Sequence, residues 1–130
     1  MLLILVSCTS YQEITTNGNS FLNPHIGKKV KAKGKAVDAK LGAMLLFDDG
    51  TSIWINELES WPEGFYKGGD EGVVVEVTGV LIGKYDLPVY IQKDGEPAGA
   101  GIPVPEGTDL KMASFRLLID KAKWSKLFGN

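Results

Sequence analysis

From Lys28 to Ala36 the chain alternates with period two. Val30, Ala32, Gly34 and Ala36 fall on one side, and Lys29, Lys31, Lys33 and Lys35 on the other. Such a period belongs to a strand with one face turned to a core. The inward residues are small, so the strand can approach its neighbours closely. At Ala36-Val37 the parity slips, because Val37, Ala39 and Leu41 continue on the opposite side. A one-residue slip beside Gly34 predicts a bulge and a bend. A bent first strand can serve two sheet edges and close a small barrel.

The next two strands are predicted as a hairpin. Asp49-Gly50 is a two-residue turn signal, since both central positions of that turn take positive φ. Centring the turn there sets Phe47 opposite Ser52, Leu46 opposite Ile53, Leu45 opposite Trp54 and Met44 opposite Ile55. Met44, Leu46, Ile53 and Ile55 are then expected inside, with Leu45, Phe47 and Trp54 facing outward. Three large apolar groups on one outward face exceed the scattered surface residues that need no explanation.

Between Asn56 and Glu71 there is room for about one helical turn, carrying Leu58 and Trp61, before Pro62 and three glycines. Strand four follows, with Val73, Val75 and Val77 on one face and Val74, Glu76 and Thr78 on the other. Gly79 is expected to interrupt it before Val80-Leu81-Ile82. Residues 84–109 form a long Gly/Pro-rich loop in which 101–105 are extended. A helical turn after Asp109 and a closing strand from Arg116 to Lys123 complete the barrel, which would otherwise expose an edge.

The chain has 130 residues, 44% of them hydrophobic, enough for one ordinary domain. Net charge is −2, so the whole molecule is not an electrostatic glue for nucleic acid or acidic membranes. The charge is segregated along the chain, however. Residues 28–40 hold six lysines against Asp38, a local +5, and residues 41–110 hold thirteen acids against three lysines, a local −10. The last twenty residues return to +4. The fold decides whether the two basic pieces share a surface.

Met1 to Val6 is wholly aliphatic and runs into Ser7-Cys8. Leu5-Val6-Ser7-Cys8 resembles the lipobox of bacterial lipoproteins, in which the protein is cut before the cysteine and that sulfur takes a diacylglycerol. The resemblance implies a lipid on Cys8, attachment to a membrane, and a place in the bacterial cell envelope. The run is short and lacks a basic residue before it, which a start codon upstream of Met1 would supply. Residues 1–8 are thus expected to be a signal and lipobox, 9–20 a polar tether, and 21–130 one β-barrel domain. Cys8 is the sole cysteine, so no disulfide within the chain is possible.

The five strands, the bent first strand with its glycine, the 2–3 hairpin and Val75-Glu76-Val77-Thr78-Gly79 resemble the OB-fold over residues 27–124. Among OB proteins the chain is similar to small bacterial exported or lipid-anchored ones. The fold class expected is therefore all-β, a five-stranded OB-fold-like closed barrel with a long 4–5 loop, with an SH3-like barrel as the alternative. The resemblance also implies a location for binding, along strands two and three between the 1–2 and 4–5 loops. Here that face would carry Leu45, Phe47 and Trp54, framed by loops holding Tyr85 and Tyr90. Either these residues receive a ligand or the 84–109 loop packs over them.

Catalysis is not expected. His25 is the lone histidine, and no nucleophile has a base at a suitable spacing. Asp48-Asp49-Gly50-Thr51 lacks the alternating oxygens and distal glutamate of a calcium loop. No phosphate-binding glycine motif occurs. Neither cofactor nor metal is therefore expected. The function that emerges is a ligand- or protein-binding module of the envelope, with a glycan or an envelope protein as partner. Single-stranded nucleic acid or an oligosaccharide on the strand 2–3 face is the alternative. The single arginine, Arg116, and the acidic total weigh against nucleic acid.

Overall fold

The structure, a computed structural model, describes residues 11–15, 18, 22–66, 68, 72–95, 97 and 99–127. Among these, β1 (Gln12–Ile14), β2 (Lys29–Ala39), β3 (Gly42–Leu46), β4 (Ser52–Ile55), β5 (Val74–Tyr85) and β8 (Phe115–Lys126) make one sheet. A separate parallel ribbon consists of β6 (Val89–Ile91) and β7 (Ile102–Val104). The class is all-β. One short helix, α1 (Leu110–Ala113), precedes β8, and Asp109 caps it by accepting from the main-chain N–H of Lys111 and Met112. The helical turn and closing strand read from the sequence are both present, and the strand runs longer than expected.

Within the large sheet, β2 pairs antiparallel with β3 over residues 35–39 and with β5 over residues 29–35. The parity slip marks this change of partner: Ala36 and Val37 are both buried where β2 passes from one neighbour to the other. Gly34 sits at the bend, and a Cβ there would lie 2.5 Å from the carbonyl oxygen of Leu46. The sheet order β2-β3-β4-β8-β5 therefore returns to β2, and five strands form a ring.

The seam between β4 and β8 is parallel and short, with only Trp54↔Leu118 and Ile55↔Ile119 in register. Asn56 reinforces it. Its main-chain N–H donates to the Ile119 carbonyl at 2.9 Å, and its side-chain amide donates to Asp120 Oδ1 at 2.8 Å. Lys84 of β5 donates to Asn56 Oδ1 at 2.7 Å. One polar side chain thus ties the end of β4 to both β8 and β5.

The hairpin register departs from the sequence reading by one residue. Met44 pairs with Trp54, Leu45 with Ile53 and Leu46 with Ser52. The loop is three residues long rather than two: Phe47 N–H donates to the Thr51 carbonyl, and Gly50 N–H to the Phe47 carbonyl. Only Gly50 takes a positive φ, +89°, and Asp49 Oδ1 accepts from Thr51 N–H. A turn followed by a left-handed glycine uses the same Asp-Gly pair as the tighter hairpin. Since a one-residue slip exchanges the faces of a strand, Leu45 and Phe47 enter the core at 0% and 5% exposure. Met44 and Leu46, expected inside, are half-buried on the outside with Trp54.

Three further expectations are corrected. Gly79 does not interrupt strand four. β5 passes through it with an irregularity against β8, where a Cβ would lie 2.5 Å from the Asp120 carbonyl and from Ile119 Cγ2. The connector forms no helix among its described residues. Instead Trp61 is buried, donating from its indole to the Met44 carbonyl and from its main chain to Asp38 Oδ1. It stacks on Phe65 and meets Trp124 edge-on. Finally, the expected tether contributes β1, which runs parallel to β2 and places Ile14 in the core.

The register predicts a contrast between neighbours. Leu45→Ala should cost ~2–5 kcal/mol as a core truncation, whereas Leu46→Ala should cost about 1 kcal/mol or less. Urea denaturation of the two variants measures the difference, and equal costs would contradict the observed pairing.

Candidate functional site

The outer face at the β4–β8 seam is where the structure gathers polar and aromatic groups. Trp54 projects outward from β4, because its neighbours Ile53 and Ile55 point into the core. Beside it on β8 lie Leu118, its register partner, and Arg116 two residues earlier. Leu118 is 1% exposed although it shares the outward side of Trp54, so this part of the face is covered by chain. Arg116 stacks its guanidinium over the Trp54 ring at 5.3 Å, a favourable cation–π geometry.

Arg116 also holds the 86–109 segment. Its Nε donates to Asp86 Oδ1 at 2.6 Å and its Nη2 to Asp86 Oδ2 at 3.0 Å. This bidentate arrangement is the strong form of a charge-assisted pair. The hydrogen bond and charge of Arg116, aided by Lys84, hold the Asp86 carboxyl below its ordinary value. Immediately after this strut the chain passes Leu87 and Pro88 into the β6–β7 ribbon.

Clefts lie around this region, two of them lined by Arg116. One of about 430 Å³ is lined by Thr51, Ser52, Trp54, Leu87, Phe115 and Arg116 among others. A second, also about 430 Å³, lies between the β2–β3 turn and the loop, lined by Lys40, Leu41, Pro88, Ala100, Gly101 and Ile102. A third of about 230 Å³ shares Leu41 with the second and Arg116 with the first. Shared lining residues thus set these clefts in a row, with the 86–109 segment walling the first two and Glu57 and Glu59 lining the third. Trp54 Nε1 is buried there without a hydrogen-bond partner among the described residues.

The five aromatic and apolar candidates read from the sequence do not converge. Trp54 lines the row. Leu45 and Phe47 are core residues, for the register reason given above. Tyr85 is 53% exposed at the end of β5, packed on Phe115 with Lys111 over its ring. Tyr90 ties its own ribbon together: its hydroxyl donates to Gln92 Oε1 and accepts from Gly99 N–H. Cys8, the lipidation candidate, lies outside the described residues.

The sequence reading missed the Arg116–Asp86 strut, whose partners are 30 residues apart. It also missed Asn56, whose partner Asp120 is 64 residues away. An acid at the mouth of a long loop and a lone arginine at the start of the closing strand were the available signals. Among the described residues no cluster of three or more His, Cys, Asp or Glu could hold a metal ion, and no helix is long and apolar enough to cross a membrane.

The strut carries a pH prediction. A carboxyl whose folded pKa is depressed contributes stability above its unfolded value, about 3.9, and loses it as pH falls through the lower folded value. A carbon-13 NMR titration should place the Asp86 midpoint below the usual carboxylate range. Arg116→Gln should return it upward, and an unchanged midpoint would remove the strut as the cause. No protein-family model matches this chain, and neither does any curated protein or solved structure.

Proposed function

We propose that the protein is a non-catalytic binding module of the OB type, held at the bacterial cell envelope by a lipid on Cys8, and that it takes an extended segment of a partner protein along β4 and β8. Two features support the OB reading. The five-strand ring places its last strand between the third and fourth, a Greek-key order, and the long connection falls between strands four and five. The barrel binds between its 1–2 and 4–5 loops, which are the 40–41 turn and the 86–109 segment.

The observation that carries the function is the apolar cleft between those two loops, walled by Leu41, Pro88 and Ile102. Its character favours an apolar peptide over a sugar. Trp54 has Arg116 over its ring, so it is not a free platform for stacking a pyranose. Its unpaired indole N–H represents a cost of ~1–3 kcal/mol that a peptide carbonyl reaching it would relieve. Nucleic acid suits the face poorly. Glu57, Glu59 and Asp86 lie along it, and the guanidinium is already engaged by a carboxylate.

Amide NMR titrations with apolar extended peptides, neutral oligosaccharides and a deoxythymidine oligomer test this reading. Peptides should shift Leu41, Ile102 and the Trp54 indole signal, and Leu41→Ser with Ile102→Ser should weaken binding about tenfold, near 1.4 kcal/mol. Shifts from the oligonucleotide alone, or shifts on another face, would overturn it. Separately, Cys8→Ser should move the full-length protein from the membrane fraction to the soluble one, and an unchanged distribution would remove the lipid anchor.

A further inference from the structure

The ring answers the question that the charge blocks raised. β5 lies between β2 and the C-terminal half of β8, so the two basic segments flank one strand. Lys31 and Lys123 stand on either side of Thr78, each its register partner. Lys33 and Ser125 flank Glu76 in the same way. Lys29, Lys33 and Lys35 are exposed, as are Lys121 and Lys123. With neighbouring strands about 4.8 Å apart and alternate residues about 6.6 Å apart, Lys29, Lys31, Lys33 and Lys35 form a row along β2, and Lys123 of β8 stands across β5 from it. Among the described residues, the acids within this face are Glu76 in its centre and Glu13 at its edge, the latter 3.8 Å from Lys33 Nζ.

Guarding a sheet edge does not account for the lysines of β2. That strand is paired with β5 on one side over residues 29–35, and on the other with β1 over residues 30–32 and with β3 from Lys35 onward, so most of its length is not an open edge. We propose that the outer face of β2, β5 and β8 seats the protein on an anionic phospholipid bilayer, with Lys29, Lys31, Lys33, Lys35 and Lys123 against the headgroups. Charge complementarity favours this occupant. Lysine ammonium groups interact with a charged surface as point charges, without the fork that reads a base or grips a single phosphate.

The course of the chain favours it as well. β1 runs parallel to β2 with Gln12 opposite Val30, so the chain enters the sheet at the Lys29 end of the lysine row. Tyr11, 38% exposed, stands at this entrance, a residue type suited to a headgroup layer. Three peptide steps join it to Cys8, a reach of about 11 Å at most. A diacylglycerol on Cys8 would carry the anchoring itself, and a basic face next to it would set how the domain lies on the headgroup layer. The direction of approach rests on the membrane-anchor reading of Cys8; the lysine face does not.

Full-length protein carrying Cys8→Ser isolates the face from the lipid. It should sediment with vesicles of phosphatidylcholine containing about 30 mol% phosphatidylglycerol and not with phosphatidylcholine alone. Binding should weaken at least about tenfold between about 50 and 300 mM salt. Lys31→Glu with Lys123→Glu should abolish it, Glu76→Gln should strengthen it, and thermal midpoints report that each variant is folded. Should the charge-reversed protein not fold, Lys29→Gln with Lys35→Gln should still weaken binding severalfold. Equal binding to neutral vesicles, indifference to these substitutions, or tighter binding to a deoxythymidine oligomer would overturn the proposal. Whether wild-type protein carries a lipid on Cys8 is read independently from its mass.

Discussion

Closure of the strand ring at the β4–β8 seam is the constraint on which the remaining structure depends. Two register pairs are few to hold a parallel join, whereas β5 and β8 pair along most of their length. Asn56 makes up the difference, reaching Ile119 and Asp120 on one side and Lys84 on the other. Its neutral amide lets an aspartate and a lysine share one junction, each meeting a partner of the right hydrogen-bonding sense. The backbone takes an unusual conformation after both sides of the clip. Glu57 and Lys121 are the two non-glycine residues with positive φ among those described, and they directly follow Asn56 and Asp120. Such conformations are costly for residues with a Cβ and persist where surroundings over-determine them. With the seam closed, Trp54, Leu118 and Arg116 become neighbours on one surface. With it open, the cleft row would have no floor.

Small residues make that ring possible. Ala32 and Ala36 of β2 and Ala43 of β3 are fully buried, and Gly34 and Gly79 bring backbone within reach of backbone. Larger core groups come from Leu45 further along β3 and from β4, β5 and β8: Ile53, Ile55, Leu81, Leu117 and Ile119. A strand of alanines bending around bulky partners suits a narrow interior, in keeping with the close packing of protein cores. Trp61 and its contacts with Phe65 and Trp124 then occupy the place a connecting helix turn was expected to take. An indole anchored by two hydrogen bonds fixes the connector without any helix.

What could be read from the sequence was whatever depends on local period. The alternation of β2, its change of parity, the Val-rich face of β5 and the Asp109 cap all follow from side chains a few residues apart. The hairpin register does not. Asp48-Asp49-Gly50 supports a two- or a three-residue loop, and the choice is made by where Gly50 alone can turn left-handed. That single residue of difference moved Leu45 and Phe47 from a supposed site into the core, leaving Trp54 as the one legible member. Arg116 and Asp86 belong to the site through a pairing across two distant segments, which no local pattern encodes. β1 was equally hidden, since only Ile14 in a polar stretch signals a buried position.

Charge behaves differently from hydrophobic period, because its blocks are legible in sequence but acquire meaning only through topology. The lysine block and the basic C-terminal block converge because β5 pairs with both β2 and β8. The acidic middle of the chain supplies Glu57, Glu59 and Asp86 to the cleft row instead. A net charge of −2 conceals this division. Within about 8–10 Å of a charged surface in physiological salt, separate faces and not the net charge govern the interaction. The β3–β4 arc and the β2–β5 arc of the ring therefore differ in charge. Lysines against an anionic layer would turn the molecule so that its acidic, apolar-walled clefts avoid that layer, leaving them open to a partner.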